Sequence, residues 1–352
     1  MTVVPFTPDL IDSHLLVDVR TPLEFAEDHI LGAINVPLLS NEERVEIGTL
    51  YKQTGPHPAR VRGLEITAPK LPAIVAEIAV AAAGRPILVC CWRGGLRSRT
   101  VASVLELTGY PAVQLAGGYK SYRNHIVGYF EQFQPPGPLV VLHGLTGIGK
   151  TTFLYLLQEN GPWTVIDLEG LAGHRGSAFG MLGLEQNLTQ KHFESLLWDA
   201  FRRIPPGMPI VLEGESRRIG RIALPGVMYE TMRDGVKIWC EATLETRVRR
   251  LLEDYGREEY REEIISSLGR IRKKLGGEKY VELSGYLDRW ELEPFVRELC
   301  VSYYDRNYYK FRDWTEDAII SLEDYTEAAT ALREHLIQGG IRGRFSEAAF
   351  RF

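Results

Sequence analysis

Residues 144–151 read Gly-Leu-Thr-Gly-Ile-Gly-Lys-Thr: a glycine, four residues, then Gly-Lys-Thr. Glycines let the backbone turn its N–H groups inward, a following helix start adds a positive dipole end, and Lys150 adds a full charge. That combination cradles phosphate groups. Gly144, Thr146, Gly147, Gly149, Lys150, Thr151 and Thr152 are therefore the expected phosphate-binding residues. A second group is Cys91-Trp92-Arg93-Gly94-Gly95-Leu96-Arg97. A cysteine heading a glycine turn, with a helix start and arginines behind it, sits in a setting that favours the nucleophilic thiolate. The same bowl of N–H groups would hold an anion. Cys91 is the expected nucleophile, with Arg93, Gly94, Gly95 and Arg97 as its active-site loop. A third group is Asp167, Arg175, Ser177 and Glu213, a possible further site in the second half of the chain. Glu213 could orient a metal or a water; helix capping or surface ion pairing would explain these carboxylates equally.

Each group needs particular elements around it. The phosphate loop requires a strand before it, read at Leu139 to Leu142, and a helix after it, read at Thr152 to Gln158. Cys91 follows a strand at Pro86 to Val89 and precedes a helix from about Ser98, with Cys90 turned into the core. Upstream, residues 15–38 read as a buried strand ending in Asp18-Val19-Arg20, then a turn and a helix start. Thr21 and Glu24 have the spacing of a capping box there. Val165-Ile166 reads as a strand ending at Asp167 and Glu169, and 209–220 as another with Glu213 and Glu215 at its end. An α/β sheet gathers its ligands at such ends. An amphipathic helix is expected around 189–203, a strand at 236–242, and helices from 244 onward. The fold class is α/β, with a first domain over 1–135 and a phosphate-loop domain with a helical C-terminal extension over 136–352.

At 352 residues, 45% hydrophobic and 25% charged, the chain has the composition of a two-domain globular protein. No apolar run approaches the ~20 residues of a membrane span, so no membrane partner is expected. The start, MTVVPFTPDL, lacks a signal-peptide pattern. Four cysteines, two of them adjacent, do not suggest a disulfide framework, and a reducing, cytoplasmic compartment is expected. The net charge of -5 leaves nucleic-acid binding to local basic faces.

DVRTPLEFAEDHILGAINVPL, VCCWRGGLRS and LAGGY resemble the rhodanese domain, with Cys91 heading its active-site loop. Five residues separate Cys91 from Arg97, one more than in most rhodaneses and similar to Cys-based phosphatases of the same fold. A phosphatase fused to a kinase-like domain is thus one competing reading, and a non-catalytic RNA-binding module is a second, against which intact Cys91, Arg97, Lys150 and Thr151 argue. Followed by the phosphate loop, DLEGLAGHRGSAFG, LEGESRRIG and YYDRNYYKF, the whole chain resembles the tRNA 2-selenouridine synthase family. The resemblance implies replacement of sulfur by selenium in wobble 2-thiouridine of tRNA, with selenophosphate as donor. It also implies an S-geranyl intermediate made from geranyl diphosphate, and Cys91 as the essential cysteine. Selenophosphate and geranyl diphosphate would be co-substrates; no tightly bound cofactor or metal is expected, with Mg²⁺ as an optional helper. Arg217, Arg218, Arg270, Arg272 and Lys273 are the expected tRNA-binding cations, since basic residues beside tyrosines suit single-stranded RNA.

Overall fold

A computed structural model describes residues 1–161, 163–184 and 188–338. It divides into two compact units: Met1–Tyr129 together with Thr189–Leu196, and Phe130–Leu188 together with the chain from Leu197 onward.

The first unit is built on five strands: β1 (Thr2–Val4), β2 (Leu15–Asp18), β3 (Ile34–Asn35), β4 (Ile87–Cys90) and β5 (Ala112–Leu115). They run in the order β1-β5-β4-β2-β3, and every pairing is parallel. β2 and β4 are buried at every residue, which is why they read as continuous apolar runs rather than alternating ones. The helix Leu96–Leu107 buries Val101, Ala102 and Leu105 in the core shared with Leu15, Val17, Ile87 and Val89.

The second unit repeats the plan with β6 (Leu139–His143), β7 (Thr164–Ile166), β8 (Ile210–Glu213), the short antiparallel pair β9 (Arg218–Ile219) and β10 (Ile222–Ala223), β11 (Val236–Glu241) and β12 (Ala318–Ser321). Its sheet has the order β12-β11-β6-β8-β7, again all parallel. The chain leaves β6 past β8 to reach β7, and later returns on the other side to β11. β6 therefore stands at the point where the winding reverses, and ligands of such sheets bind beyond the strand ends there. The helix Lys150–Glu159 buries Phe153, Leu154 and Leu157 against one face of this sheet.

Four helical stretches, Arg261–Leu275, Gly277–Asp288, Leu292–Leu299 and the π-helical Cys300–Asp305, enclose their own core around Leu268, Leu283, Phe295 and Leu299. The expected helical run from 244 is interrupted by β12, whose four residues are too few to carry a period-two signal. The domain expected over 136–352 extends beyond 338, the last described residue.

Candidate functional site

Cys91 directly follows β4 and is 3% exposed. The Gly95 N–H donates to its Sγ at 3.3 Å, and the Ser98 hydroxyl lies 3.1 Å from the sulfur. Gln114 braces the loop, donating to the Gly94 carbonyl at 2.8 Å and to Ser98 Oγ at 2.8 Å. Gly117 and Gly118 explain the glycine pair before Tyr119. Both have φ in the left-handed region, and a Cβ on Gly118 would lie 2.0 Å from the Cys91 carbonyl oxygen. Their turn lets the Tyr119 and Lys120 N–H groups donate to the Cys91 and Trp92 carbonyls at 2.8 and 3.0 Å.

The two arginines of the loop are placed differently. Arg93 is exposed. Arg97 pairs with Glu24 at 2.7 Å. Glu24 also closes the capping box with Thr21 at the start of Pro22–Glu27. Burial alone would raise the Glu24 pKa, but the Arg97 pairing outweighs it and holds it below the ordinary value. The Asp18-Val19-Arg20 motif is structural. Arg20, 1% exposed, chelates Asp18, donates to the Asp28 carbonyl at 2.6 Å and lies 4.0 Å from the Tyr119 ring centroid. Asp28 in turn accepts from the Tyr119 hydroxyl and contacts His192 and Ser195. Cys90 lies in the core, where burial pushes its thiol well above the ordinary range.

In the second unit the phosphate loop joins β6 to the helix Lys150–Glu159. Gly147 and Gly149 have φ of 82° and 86°, which favour glycine. Lys150 Nζ donates to the Gly144 carbonyl at 3.1 Å. Two arginines of the helix Leu244–Tyr255 grip the loop from outside. Arg247 Nε donates to the Thr146 carbonyl at 2.9 Å, and Arg250 donates to the Ile148 carbonyl at 2.6 Å. In a trans peptide the C=O and the next N–H point opposite ways. Holding these carbonyls outward sends the Gly147 and Gly149 N–H groups to the other side. Arg247 is itself fixed by two hydrogen bonds to Asp305. As sequence, these arginines look like RNA contacts; only their spacing on one helical face hints at a shared structural task.

The loop opens into a cleft of about 1270 Å³. One part of its lining is apolar: Phe179, Leu182, Ile264, Phe295 and Leu299. Another is aromatic and cationic: His143, Tyr308, Arg312, Trp314 and Lys237. His143 lies with its ring centroid 4.0 Å from that of Trp314; burial, then the charges of Lys150, Lys237 and Arg312, push its pKa down to about 3. It is neutral at physiological pH.

Carboxylates gather beside Lys150. Asp167 caps the helix Leu168–Ala172, accepting from the Gly170 N–H at 2.7 Å and from the Tyr155 hydroxyl. Glu213, wholly buried, accepts from the Leu168 N–H at 2.9 Å and leaves Oε1 without a partner. Burial, then Asp167 and Glu169, push its pKa well up. Glu169 and Glu215 come together at Gly176, so that the protonated form of one can donate to the other. Among the described residues no three His, Cys, Asp or Glu side chains group to hold a metal ion. Asp167 is taken up by the Gly170 N–H and the Tyr155 hydroxyl and only the buried Oε1 of Glu213 stays open, so the described carboxylates do not make up a ligand set for Mg²⁺.

Arg175 lies over the Tyr255 ring, 5.1 Å from its centroid, and Ser177 accepts from the Phe179 N–H at 3.2 Å. Both line the cleft. Arg217 and Arg218 are exposed on and beside β9, and Arg270, Arg272 and Lys273 are exposed on Arg261–Leu275. Both elements flank His174, which Gly220 approaches closely and whose pKa burial and the Arg270 charge lower. Arg272 lies 4.9 Å from the Tyr280 ring centroid. No helix among the described residues is long and apolar enough to cross a membrane.

Residues 137–338 match the family model described as the tRNA 2-selenouridine synthase AAA domain, and residues 8–125 match the rhodanese-like domain. Similar proteins that carry the name tRNA 2-selenouridine synthase include the following three. The one from Shewanella sp. (strain ANA-3) is 35% identical, over 78% of this chain and 79% of its own. That from Pseudomonas syringae pv. syringae is 32% identical, over 91% and 94%. That from Cupriavidus necator is 33% identical, over 92% and 95%.

Proposed function

The chain belongs to the tRNA 2-selenouridine synthase family, and from that premise we propose that it exchanges sulfur for selenium in a wobble 2-thiouridine of tRNA, in the cytoplasm. Selenophosphate supplies the selenium. Geranyl diphosphate first alkylates the sulfur, and the S-geranyl group then leaves as selenium enters. Cys91 carries the chalcogen-transfer step, and the phosphate loop serves geranyl transfer.

The observation that carries this reading is the meeting of an anion cradle and an apolar wall in one cleft. Gly147, Gly149, Lys150 and Thr151 receive the diphosphate, while Phe179, Leu182, Ile264, Phe295 and Leu299 face the hydrocarbon. Burying a ten-carbon chain is favourable by about 0.8 kcal/mol per methylene, which supports a prenyl donor. Diphosphate is the leaving group, so negative charge grows on the oxygen that departs. Inward N–H groups and Lys150 stabilise that charge as it develops. The cleft exceeds the roughly 300–1,000 Å³ of ordinary small-molecule pockets and leaves room for a nucleoside beside the donor. The exposed cations Arg217, Arg218, Arg270, Arg272 and Lys273 receive tRNA phosphates.

The test is geranyl transfer to thiouridine-containing tRNA by the purified full-length protein, with and without ATP. Transfer should proceed without ATP and be lost in Lys150→Ala. That variant should still selenate tRNA supplied already geranylated. Strict ATP dependence, or normal geranylation by Lys150→Ala, overturns the reading.

A further inference from the structure

Glu169 and Glu215 converge from two strand ends, one just after β7 and one just after β8. Both line the cleft beside Lys150 and Thr151, and Thr151 Oγ1 lies 3.5 Å from Glu169 Oε2. A Cβ on Gly176 would fall 2.6 Å from Glu169 Oε1 and 2.7 Å from Glu215 Oε2, and its φ of 61° favours glycine there. Two carboxyl groups can hydrogen-bond to each other only by sharing a proton. Glu213 stands behind them, wholly buried, with its Oε1 unpartnered. Geranyl transfer to a 2-thiouracil ring requires a proton acceptor. When the sulfur of a 2-thiouracil ring is alkylated, the ring must lose its N3 proton.

We propose that Glu169, in its carboxylate form beside Glu215, is the general base that takes the N3 proton of 2-thiouridine during geranyl transfer. The inference rests on that reading of the cleft. A sulfur lone pair forms the S–C1 bond to the geranyl group. The C1–O bond breaks, and its electron pair leaves with diphosphate. The N3–H pair becomes the C2=N3 double bond as C2=S becomes a single bond, and the proton passes to the Glu169 carboxylate. Accepting it restores the hydrogen bond to Glu215.

The groups facing Glu169 support this use. Burial and the Glu215 carboxylate push its pKa up to about 8, with Asp167 acting in the same direction and Lys150 opposing. Glu213, Tyr155 and Tyr255 also face it. A base works best when its pKa lies near the working pH. An ordinary glutamate near 4.3 would be a poor acceptor for a ring N–H.

The experiment is single-turnover geranyl transfer to thiouridine tRNA by the full-length protein between pH 6 and 9. Wild type, Glu169→Gln and Glu169→Asp are compared, with KM for geranyl diphosphate and tRNA affinity measured alongside. The wild-type rate should rise with pH towards about 8. Glu169→Gln should lose about 10²–10⁴-fold in rate with KM and tRNA affinity changed less than about threefold, and Glu169→Asp should recover part of the rate. A Glu169→Gln protein that transfers geranyl at near the wild-type rate overturns the proposal. So does one whose loss lies in KM alone. A wild-type protein that transfers no geranyl overturns the underlying reading itself, a result distinct from failure of the base.

Discussion

Gly118→Ala separates the cysteine loop from the rest of the protein. Its φ of 59° already disfavours a side chain, at about 1–2 kcal/mol. The larger effect is contact. The new Cβ would sit 2.0 Å from the Cys91 carbonyl oxygen and 2.5 Å from the Gly94 nitrogen, both backbone atoms. Real Cβ contacts do not fall below 3.0 Å, so the Cys91 loop must move by at least about 1 Å. A shift of that size carries Sγ out of reach of the Gly95 N–H at 3.3 Å and the Ser98 hydroxyl at 3.1 Å. Misplacement of a reacting group by about 1 Å costs roughly 10²-fold in rate. Selenation, read by mass spectrometry of wobble nucleosides, should therefore fall about a hundredfold. Geranyl transfer, which uses the other unit, should persist. Gly32→Ala is the control: its φ is 78° but a Cβ there meets nothing within 4 Å, so it carries strain without a clash. Normal selenation by Gly118→Ala, or an equal loss in Gly32→Ala, would refute the reasoning.

Cys91→Ser should abolish selenation and leave geranylated tRNA to accumulate, whereas Cys90→Ser, which buries a hydroxyl in the core, should lower stability by about 1–3 kcal/mol with selenation retained per folded molecule; the same nucleoside analysis reads both. The affinity for tRNA should fall steeply with salt, with log K dropping by about 0.7–0.9 per neutralised phosphate for each tenfold rise; a flat response in filter binding would remove the assigned cations. Arg247→Met leaves Asp305 and the Thr146 carbonyl unpaired and should cost about 3 kcal/mol in urea unfolding, together with geranyl transfer; a loss below about 1 kcal/mol would show that the loop does not depend on this clamp. His143, with its pKa pushed down to about 3, binds a proton less readily folded than unfolded. Its contribution to stability is therefore full above about pH 6.5 and lost as pH falls towards 3, and His143→Asn should flatten the acid limb of a stability–pH curve.

The parts of the site that rest on local spacing were legible in the sequence. Thr21 and Glu24 lie three residues apart, and the capping box they imply forms. The phosphate loop is likewise a contiguous stretch between a strand and a helix. What escaped depends on partners distant along the chain. Arg97 meets Glu24 across 73 residues, and nothing near either residue announces the pairing. Arg247 and Arg250 lie about a hundred residues from the carbonyls they hold, and nothing in the local sequence announces that contact. Glu169 and Glu215 were visible as strand-end carboxylates, but their meeting across Gly176 requires the order of β7 and β8 in the sheet. Periodicity reports which face an element buries and carries no information about which distant side chain will arrive there.

The discontinuity of the first unit bears on how such a protein can be divided or exchanged. Thr189–Leu196 belongs with Met1–Tyr129, although the chain on both sides of it belongs elsewhere. Asp28, 1% exposed, takes a hydroxyl from Tyr119 within the contiguous part, but its contacts to His192 and Ser195 come from the outlying segment. A gene split near codon 135 would deliver a first half missing those eight residues and a second half carrying a segment without its neighbours. Recombination between relatives would need two matched crossovers to move the first unit intact. The two halves of this polypeptide are thus not interchangeable cassettes, and their inheritance is tied by a segment of eight residues.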